Sequence, residues 1–345
     1  MKSIRNVALY TLPIFCFFAS APQALAQEVD AGAAKGKMVS LVVYTPAGSA
    51  YDLVARIVAR HMPKQMPGTP SMIVRNMPGA GGLTATRYLY FTAPKDGTVF
   101  GTVGRGIPFE PLLGGAGAVD FDPRKFTWLG SPSRESSLAI AWHTAEVKTA
   151  EDLLTKELII AGTGASADSE IIPRALNGLI GTKFKIISGY DGITKASLAM
   201  EGGEIEGLAY WSWSGVKAAK MEWVQSKKIN LLFQTAPVPH PEIPHVPSVM
   251  SLAKTDAQRQ SLDLLFARDI IAFPFFAPPD LPADQAKLLK EAFAASLRDS
   301  ALVAEAKQAG IVIDPVSGEE ALMVLSRVYD MPESVIEATR KAMGR

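Results

Sequence analysis

The chain has 345 residues, with 35 Lys and Arg against 34 Asp and Glu, and therefore a net charge of +1 at pH 7. A balance this close to neutral argues against nucleic acid as a main partner, because phosphate contacts need an excess of basic side chains. The length is sufficient for about two domains. The only cysteine, Cys16, lies near the N-terminus, so we expect no disulfide or cysteine metal site beyond it.

The first 26 residues have the pattern of a removable export signal. Lys2 and Arg5 precede an uncharged apolar run, and Ala24–Ala26 reads "ALA", a small-x-small cleavage pattern. Cleavage near Ala26 would remove those two basic residues and change the net charge from +1 to −1. We expect an exported mature chain beginning near Gln27; the alternative is an N-terminal helix that remains buried or anchored in a membrane.

The first block of the mature chain alternates strands and helices. Strands are predicted at Val39–Tyr44, Met72–Val74 and Val99–Val103. The first helix begins at Tyr51 and ends near Gln65, with apolar residues at helical spacing, and a second covers Leu83–Phe91. Alternation of this kind predicts an α/β fold with a largely parallel sheet covered on both faces.

A second block repeats the alternation. We predict strands and helices in the order Leu138–Trp142, a helix in "KTAEDLLTK", Leu158–Ala161, a helix at Ser169–Gly178, Phe184–Ile187, and a helix ending near Met200. The proline-rich run Ala236–Ser248 is a linker or wrapping loop. Ile270–Phe276 is predicted as a strand, followed by three helices. Two lobes joined by Ser131–Ser137 and again near Ile270 would enclose a cleft.

Three turns rich in small residues follow predicted strands: "TPAGSAYD", "NMPGAGG" and "AGTGASADSE". Ligands of open α/β sheets bind beyond the carboxyl ends of the strands, where turns lead into helices. Gly48 and Gly164 let backbone N–H groups approach a ligand closely, and helix N-termini favour anions. Each turn alone is better explained as an ordinary capped connection, and a pair of turns on facing lobes is more informative than either.

Three side chains near these turns are further candidates. Arg105 follows strand Val99–Val103, where a guanidinium would bind a carboxylate through two parallel hydrogen bonds, although structural ion pairs are equally common for arginine. Asp52 lies in the first helical turn, where we expect it to orient the loop. In the cluster "YWSWS", Trp211 belongs either to a pocket wall or to the core.

Catalytic and cofactor motifs are weak. In "PGAGGLTA", Thr84 stands where a dinucleotide fingerprint needs its third glycine, and no G-x-S-x-G elbow is present. His240 and His245 lack a third ligand at a recognised metal spacing. We therefore expect no cofactor, no metal and no enzymatic activity. The rival hypothesis is an exported hydrolase or lyase that uses His143 with a cleft serine.

Taken in order, the motifs resemble one family. The stretches "TPAGSAYDLVAR", "NMPGAGG", "APKDGT", "GTGASADS", "GYDG", "LAMEGGEIEG" and "FFAPPDLP" are similar to those of Bug/TctC proteins, the periplasmic solute receptors of tripartite tricarboxylate transporters. The resemblance runs from about Val39 to the C-terminus. It implies a type II periplasmic-binding-protein fold, two α/β lobes around a ligand cleft, with lobe 1 at 27–137 plus 270–345 and lobe 2 at 138–269.

The resemblance also implies binding residues. The family's first-lobe loop falls on Thr45, Pro46, Ala47, Gly48, Ser49 and Ala50, with its aspartate at Asp52. Its second-lobe loop falls on Gly162, Thr163, Gly164, Ala165 and Ser166, and its tyrosine–glycine pair falls on Tyr190 and Gly192. This chain departs from the family at Ser49, where a second glycine is usual, and at Asp191, where a base is frequent.

The function implied by the resemblance is capture of a small organic anion, usually a carboxylate, without catalysis. The expected partners are that ligand and the membrane subunits of a tripartite tricarboxylate transporter, with a monomeric receptor in the periplasm. A receptor that presents its ligand to a sensor kinase is an alternative with the same fold.

Overall fold

The structure is a computed structural model that describes residues 38–114, 119–164, 167–236 and 239–345. The predicted export signal, and Ala165 and Ser166 of the second loop, lie outside these residues. The strands are β1 (Val39–Val43), β2 (Met72–Asn76), β3 (Val99–Thr102), β4 (Thr127–Ser131), β5 (Ser137–Trp142), β6 (Leu158–Gly162), β7 (Phe184–Ser188), β8 (Gly207–Ser212), β9 (Ile229–Gln234), β10 (Phe275–Ala277) and β11 (Val316–Ser317).

The helices lie between and after these strands. They are α1 (Ala50–His61), α2 (Leu83–Arg87), α3 (Glu110–Leu113), α4 (Asp168–Ile180), α5 (Gly192–Glu201), α6 (Trp213–Gln225), α7 (Asp256–Ile270), α8 (Ala283–Ser296), α9 (Ser300–Gln308), α10 (Gly318–Tyr329) and α11 (Glu333–Ala342). Across the described ranges, no helix has both the length and the apolar character needed to cross a bilayer.

The strands form two sheets, in the orders β11-β4-β10-β3-β1-β2 and β7-β6-β8-β5-β9. In the first sheet β1 is parallel to β2 and β3, whereas β10 is antiparallel to β3 and β4. In the second sheet β6 is parallel to β7 and β8, whereas β5 is antiparallel to β8 and β9. The expected strand–helix alternation is present, but both sheets are mixed, because β10 and β11 run against the other strands of the first sheet and β5 runs against the other strands of the second.

Helix α1 shows how the sequence determines local structure. Its N-cap Ser49 accepts a hydrogen bond from the Asp52 N–H, and Val54, Ile57 and Val58 form a buried apolar stripe. This stripe packs in one core cluster with alternate residues of β1. The helix therefore begins just after β1, because the capping residue Ser49 comes shortly before the residues that form its apolar stripe.

Two segments connect the sheets. The chain passes from β4 to β5 through 132–136 and returns from α7 to β10 through 271–274. Each segment is bonded to the element that leads into the other: the Glu135 N–H donates to the Asp269 carbonyl of α7 at 2.9 Å, and the Phe273 N–H donates to the Ser131 hydroxyl of β4 at 3.0 Å. We call 132–136 and 271–274 the crossing segments.

Several predicted elements differ from the structure. "KTAEDLLTK" contains only a 3-10 turn at Glu151–Leu154, and the predicted strand Ile270–Phe276 is mostly not a strand, because α7 continues to Ile270 and β10 begins at Phe275. The last helix, α11, packs against α4 and α7 as well as α3. Gly178 of α4 permits this approach, since a Cβ there would lie 3.0 Å from the Ala342 Cβ.

We predict that Gly130→Ala lowers the free energy of unfolding by roughly 3 kcal/mol. Gly130 has φ of +129°, and a Cβ there would lie 2.1 Å from the Val316 carbonyl oxygen of the paired β11. The control is Gly203→Ala, at φ of +77° with no atom within 4 Å, for which strain alone costs about 1 kcal/mol. Urea unfolding followed by circular dichroism measures both; equal losses would contradict the prediction.

Candidate functional site

A cleft lies between the two halves of the molecule and contains two adjoining cavities. The first, of about 570 Å³, is lined by three arginines, Arg105, Arg268 and Arg345, and we call it the arginine cavity. The second, of about 500 Å³, is lined by Trp213 and Lys217, and we call it the tryptophan cavity. Both volumes are suited to a small organic molecule.

The crossing segments contribute to the lining of both cavities. Five residues line both: Ala50 of α1, Glu135 and Phe273 of the crossing segments, and Ser212 and Ser214 at the end of β8 and start of α6. A ligand in either cavity therefore contacts the parts of the chain that join the two sheets.

The arginine cavity is bounded by the N-terminal turns of two helices from opposite halves. Ala50 and Tyr51 of α1 line one side, and Asp168 and Ile171 of α4 line the other. Tyr51 is held in place by hydrogen bonds, since its hydroxyl donates to the Ala272 carbonyl at 3.0 Å and accepts from the Arg105 N–H at 3.0 Å. The N-terminal turns of α1 and α4 therefore line the same cavity.

Arg105 forms a buried ion pair that joins the two halves. Its Nη1 lies 3.1 Å from Oδ1 of Asp269, at the end of α7. Asp269 also accepts hydrogen bonds from the Tyr210 hydroxyl and the Thr235 hydroxyl, each at 2.6 Å. The Arg105 guanidinium lies 5.0 Å from the centre of the Tyr210 ring, within cation–π distance.

Tyr210 reaches this ion pair through a strained backbone. It has φ of +61°, and the pairing of β5 with β8 shifts register there, so Tyr210 is the extra residue of a β-bulge. A tyrosine in the left-handed region is unusual and costs of order 1–3 kcal/mol. The bulge directs the tyrosine hydroxyl to Asp269, and the network at Asp269 holds it there.

Arg268 is the second guanidinium of the cavity, and it is buried with one donor unused. Only 6% of the residue is exposed, and its Nη1 lies 3.2 Å from Asp168 Oδ1. Its buried Nε has no hydrogen-bond partner in the part of the chain that the structure describes. A buried N–H of a charged group is costly when it is unpaired, so a ligand oxygen or a water would stabilise it.

The first predicted loop is occupied by its own hydrogen bonds. The Gly48 N–H donates to Asp52 Oδ2 at 2.8 Å, and Asp52 also accepts from Arg56 Nε at 2.9 Å and Asn76 Nδ2 at 2.8 Å. The expectation that this amide is free for a ligand is wrong, because a buried carboxylate one turn into α1 already accepts it. Asp52 orients the loop, as expected.

The other residues of this loop divide in two. Ala50 lines both cavities, whereas Thr45, Ala47, Gly48 and Ser49 line neither of them. The hydroxyls of Thr45 and Ser49 are hydrogen-bonded to each other.

The second predicted loop repeats this pattern. The Gly164 N–H donates to Glu170 Oε1 at 2.9 Å, and the Thr163 N–H donates to the Ser169 hydroxyl at 3.1 Å. Glu170 is buried, like Asp52 in the first loop. The amide of Gly164 is therefore also used inside the loop, contrary to the sequence prediction. Neither Thr163 nor Gly164 lines the arginine or tryptophan cavity.

The remaining predicted residues lie away from these cavities. Trp211 is buried in a core cluster edge-on to Trp223, and Trp213 two residues later lines the tryptophan cavity. Tyr190 packs against the same cluster, and Gly192 is exposed at the start of α5. Both follow β7, an edge strand of the second sheet.

His143 is placed unfavourably for the hydrolase hypothesis. It follows the last residue of β5, whereas the cleft lies at the beginning of that strand, about 20 Å away for six residues. His143 is exposed and lines neither cavity. The proposed base therefore does not face the cleft serines.

Among the residues in or beside the cleft that sequence reasoning did not single out are Glu135, Arg268 and Asp269. The adjacent charges of Arg268 and Asp269 in the apolar run "DLLFARDIIAF" are a usable signal, because buried charges need specific partners. Glu135 lies in the segment already identified as a connection between lobes. The bulge at Tyr210 has no comparable signal.

Two comparisons give no relatives: no family model matches this chain, and no curated protein sequence matches it. Solved structures do match. A TctC solute-binding protein from Polaromonas has a TM-score of 0.69 at 18% identity, over 87% of this chain and 98% of its own. MatC from Rhodopseudomonas palustris with bound malate has a TM-score of 0.59 at 20% identity, over 87% and 99%. A second R. palustris protein, with adipate, has a TM-score of 0.60 at 18% identity, over 89% of this chain and 97% of its own.

The two sheets, the crossing segments and these matches define the fold. The chain has the fold of a type II periplasmic binding protein, with two α/β lobes around a cleft. The resemblance predicted from the sequence motifs is confirmed as a likeness of fold to TctC-type solute-binding proteins.

The hydrogen bonds that Asp52 accepts from the first predicted loop and its surroundings can be tested by changing the pH. Hydrogen bonds from Arg56, and also from Gly48 and Asn76, lower its pKa to about 2, although burial opposes the change. A carboxylate with a lowered pKa stabilises the fold above its ordinary pKa of about 4, and this contribution is lost as the pH falls towards 2. We predict that Asp52→Asn lowers the free energy of unfolding by about 2 kcal/mol at pH 7 and by about half of that at pH 3.

Urea unfolding at both pH values provides the measurement. The control is Asp256→Asn, which removes an exposed acid paired with Arg259 and should change stability by no more than about 0.5 kcal/mol. A loss for Asp52→Asn that is the same at pH 7 and pH 3 would show that its carboxylate charge is not the cause.

Proposed function

We propose that this chain is a periplasmic solute-binding protein of the Bug/TctC family, exported by its N-terminal signal, which captures a small organic anion without catalysing a reaction. The observation that carries the proposal is the Arg268 guanidinium, buried at the wall of the arginine cavity with an unpaired Nε–H. A carboxylate is the ligand group best suited to pair with this guanidinium.

The surroundings of Arg268 support an anionic ligand. Arg105 lines the same cavity with 19% of its side chain exposed, so part of its guanidinium faces the cleft. The N-termini of α1 and α4 also meet this cavity, and the partial positive charge of a helix N-terminus favours an anion. Malate and adipate in two proteins of this fold are both carboxylates.

Lobe motion would complete the site. We propose that 27–137 with 270–345 form one lobe and 138–269 the other, with α11 resting against both. A ligand that makes additional contacts when the lobes approach would bind the closed state more tightly than the open state. It would shift the equilibrium towards closure by that difference in affinity. The closed receptor would then deliver its ligand to the membrane subunits of a tripartite tricarboxylate transporter.

The expected affinity follows from few contacts. Hydrogen bonds to charged groups contribute roughly 1.5–3 kcal/mol each. Two or three such hydrogen bonds, with apolar contacts to Phe273 and Tyr51, would give a binding free energy of about −8 kcal/mol, which corresponds to a micromolar dissociation constant.

The test is isothermal titration calorimetry with a panel of mono-, di- and tricarboxylates, with and without amino groups. We expect at least one to bind, and Arg268→Met to weaken it at least tenfold, because the variant keeps much of the side-chain volume and removes the donors. Arg268→Lys keeps the charge without Nε–H and should bind with intermediate affinity.

The matched control is Arg298→Met, an exposed arginine outside both cavities, which should leave binding unchanged. Thermal melting of each variant reports whether it is folded. Failure of every compound in the panel to produce heat or a thermal shift would overturn the proposed function.

A further inference from the structure

Glu135 is an acidic residue at the centre of a cleft that we propose to bind an anion. It lies in the crossing segment 132–136 and lines both the arginine and the tryptophan cavity. Its position is fixed at three atoms. Oε2 accepts from the Ser214 hydroxyl at 2.5 Å, Oε1 accepts from the Ser136 N–H at 3.1 Å, and its own N–H donates to the Asp269 carbonyl.

The other acids that line the two cavities have basic partners. Glu110 lies 3.0 Å from Arg345, Asp168 lies 3.2 Å from Arg268, and Asp314 lies 3.5 Å from Arg134. Glu135 forms no ion pair with any residue that the structure describes, and the two groups that donate to its carboxylate, the Ser136 N–H and the Ser214 hydroxyl, are neutral. The charges along the cleft are therefore paired except at this carboxylate.

An unpaired carboxylate that is largely withdrawn from water is energetically unfavourable. Burial raises the pKa of Glu135, against the opposing effects of the Ser214 hydroxyl and Arg105. Each carboxylate oxygen accepts a single hydrogen bond and retains the capacity for another. Glu135 is thus complementary to a positively charged donor and repels a second ligand carboxylate.

We propose that the ligand carries a protonated amine as well as a carboxylate, with its ammonium group at Glu135 and its carboxylate at Arg268 and Arg105. The inference rests on the proposed function and narrows it from organic anions to amino acids and related amino carboxylates. Arg105 and Arg268 are already paired with Asp269 and Asp168, so a dianion would bring a charge that the cleft does not balance.

The experiment compares ligands that differ in the amine alone. Glutamate is measured against glutarate and 4-aminobutyrate against butyrate, by calorimetry on the wild-type chain and on Glu135→Gln. We expect the amino compound of at least one pair to bind at least tenfold tighter than its partner. In Glu135→Gln, which keeps the shape and removes the charge, this preference should fall at least tenfold.

The matched control is Glu319→Gln, which neutralises an acid paired with Lys290 outside both cavities and should retain the preference. Tighter binding of the amine-free partners, or a preference that Glu135→Gln leaves unchanged, would overturn the inference and leave the proposed function standing. If neither series binds but another carboxylate does, the inference is also wrong; if no carboxylate binds, the proposed function falls with it.

Discussion

The ion pair between Arg105 and Asp269 is the interaction on which the cleft depends. Arg105 follows β3 of the first sheet, while the three other members of the network come from the second half: Tyr210 on β8, Thr235 after β9 and Asp269 at the end of α7. Removing one member would leave a buried charge or donor without its partner, which is strongly destabilising. The network therefore fixes where the two halves meet.

The two glycine turns show why helix N-termini alone do not identify a binding group. In both turns a buried acid of the following helix, Asp52 or Glu170, accepts the glycine N–H. These bonds make the turns rigid, and they leave recognition to side chains and to neighbouring residues such as Ala50 and Tyr51. Ser49, which stands in place of the usual second glycine, also stabilises the first turn, because its side chain caps α1.

Much of the fold was predictable because its elements carry simple patterns. Helix α1 has one apolar stripe, β1 is apolar throughout, and the order of motifs indicated the two-lobed fold. Helix α7 was not predicted, since eight of its last ten residues are buried and no single apolar face stands out. The strand expected at Ile270–Phe276 is mostly the connection 271–274 between α7 and β10, because an apolar run alone does not distinguish a buried connection from a strand.

The site was less predictable than the fold, and the reason is geometric. Arg105 was identified because it follows a strand, but its partner Asp269 is more than 160 residues away and is brought to it by the second crossing. Trp211 and Trp213 are two residues apart, yet one is core and the other lines a cavity, because β8 ends and α6 begins between them. The local sequence pattern does not show which of these two tryptophans is in the core and which lines a cavity.

The position of the unpaired acid has a consequence for how ligand binding and lobe closure are coupled. Glu135 is on one crossing segment and Phe273 is on the other, and both line the two cavities. The Glu135 N–H is bonded to the carbonyl of Asp269, whose carboxylate holds Arg105. A ligand group bound at Glu135, as we propose, would contact a segment that joins the two sheets. If the angle between the lobes changes the geometry of this contact, the energy of the contact differs between the open and closed states. Such a difference allows a ligand to shift the equilibrium between those two states.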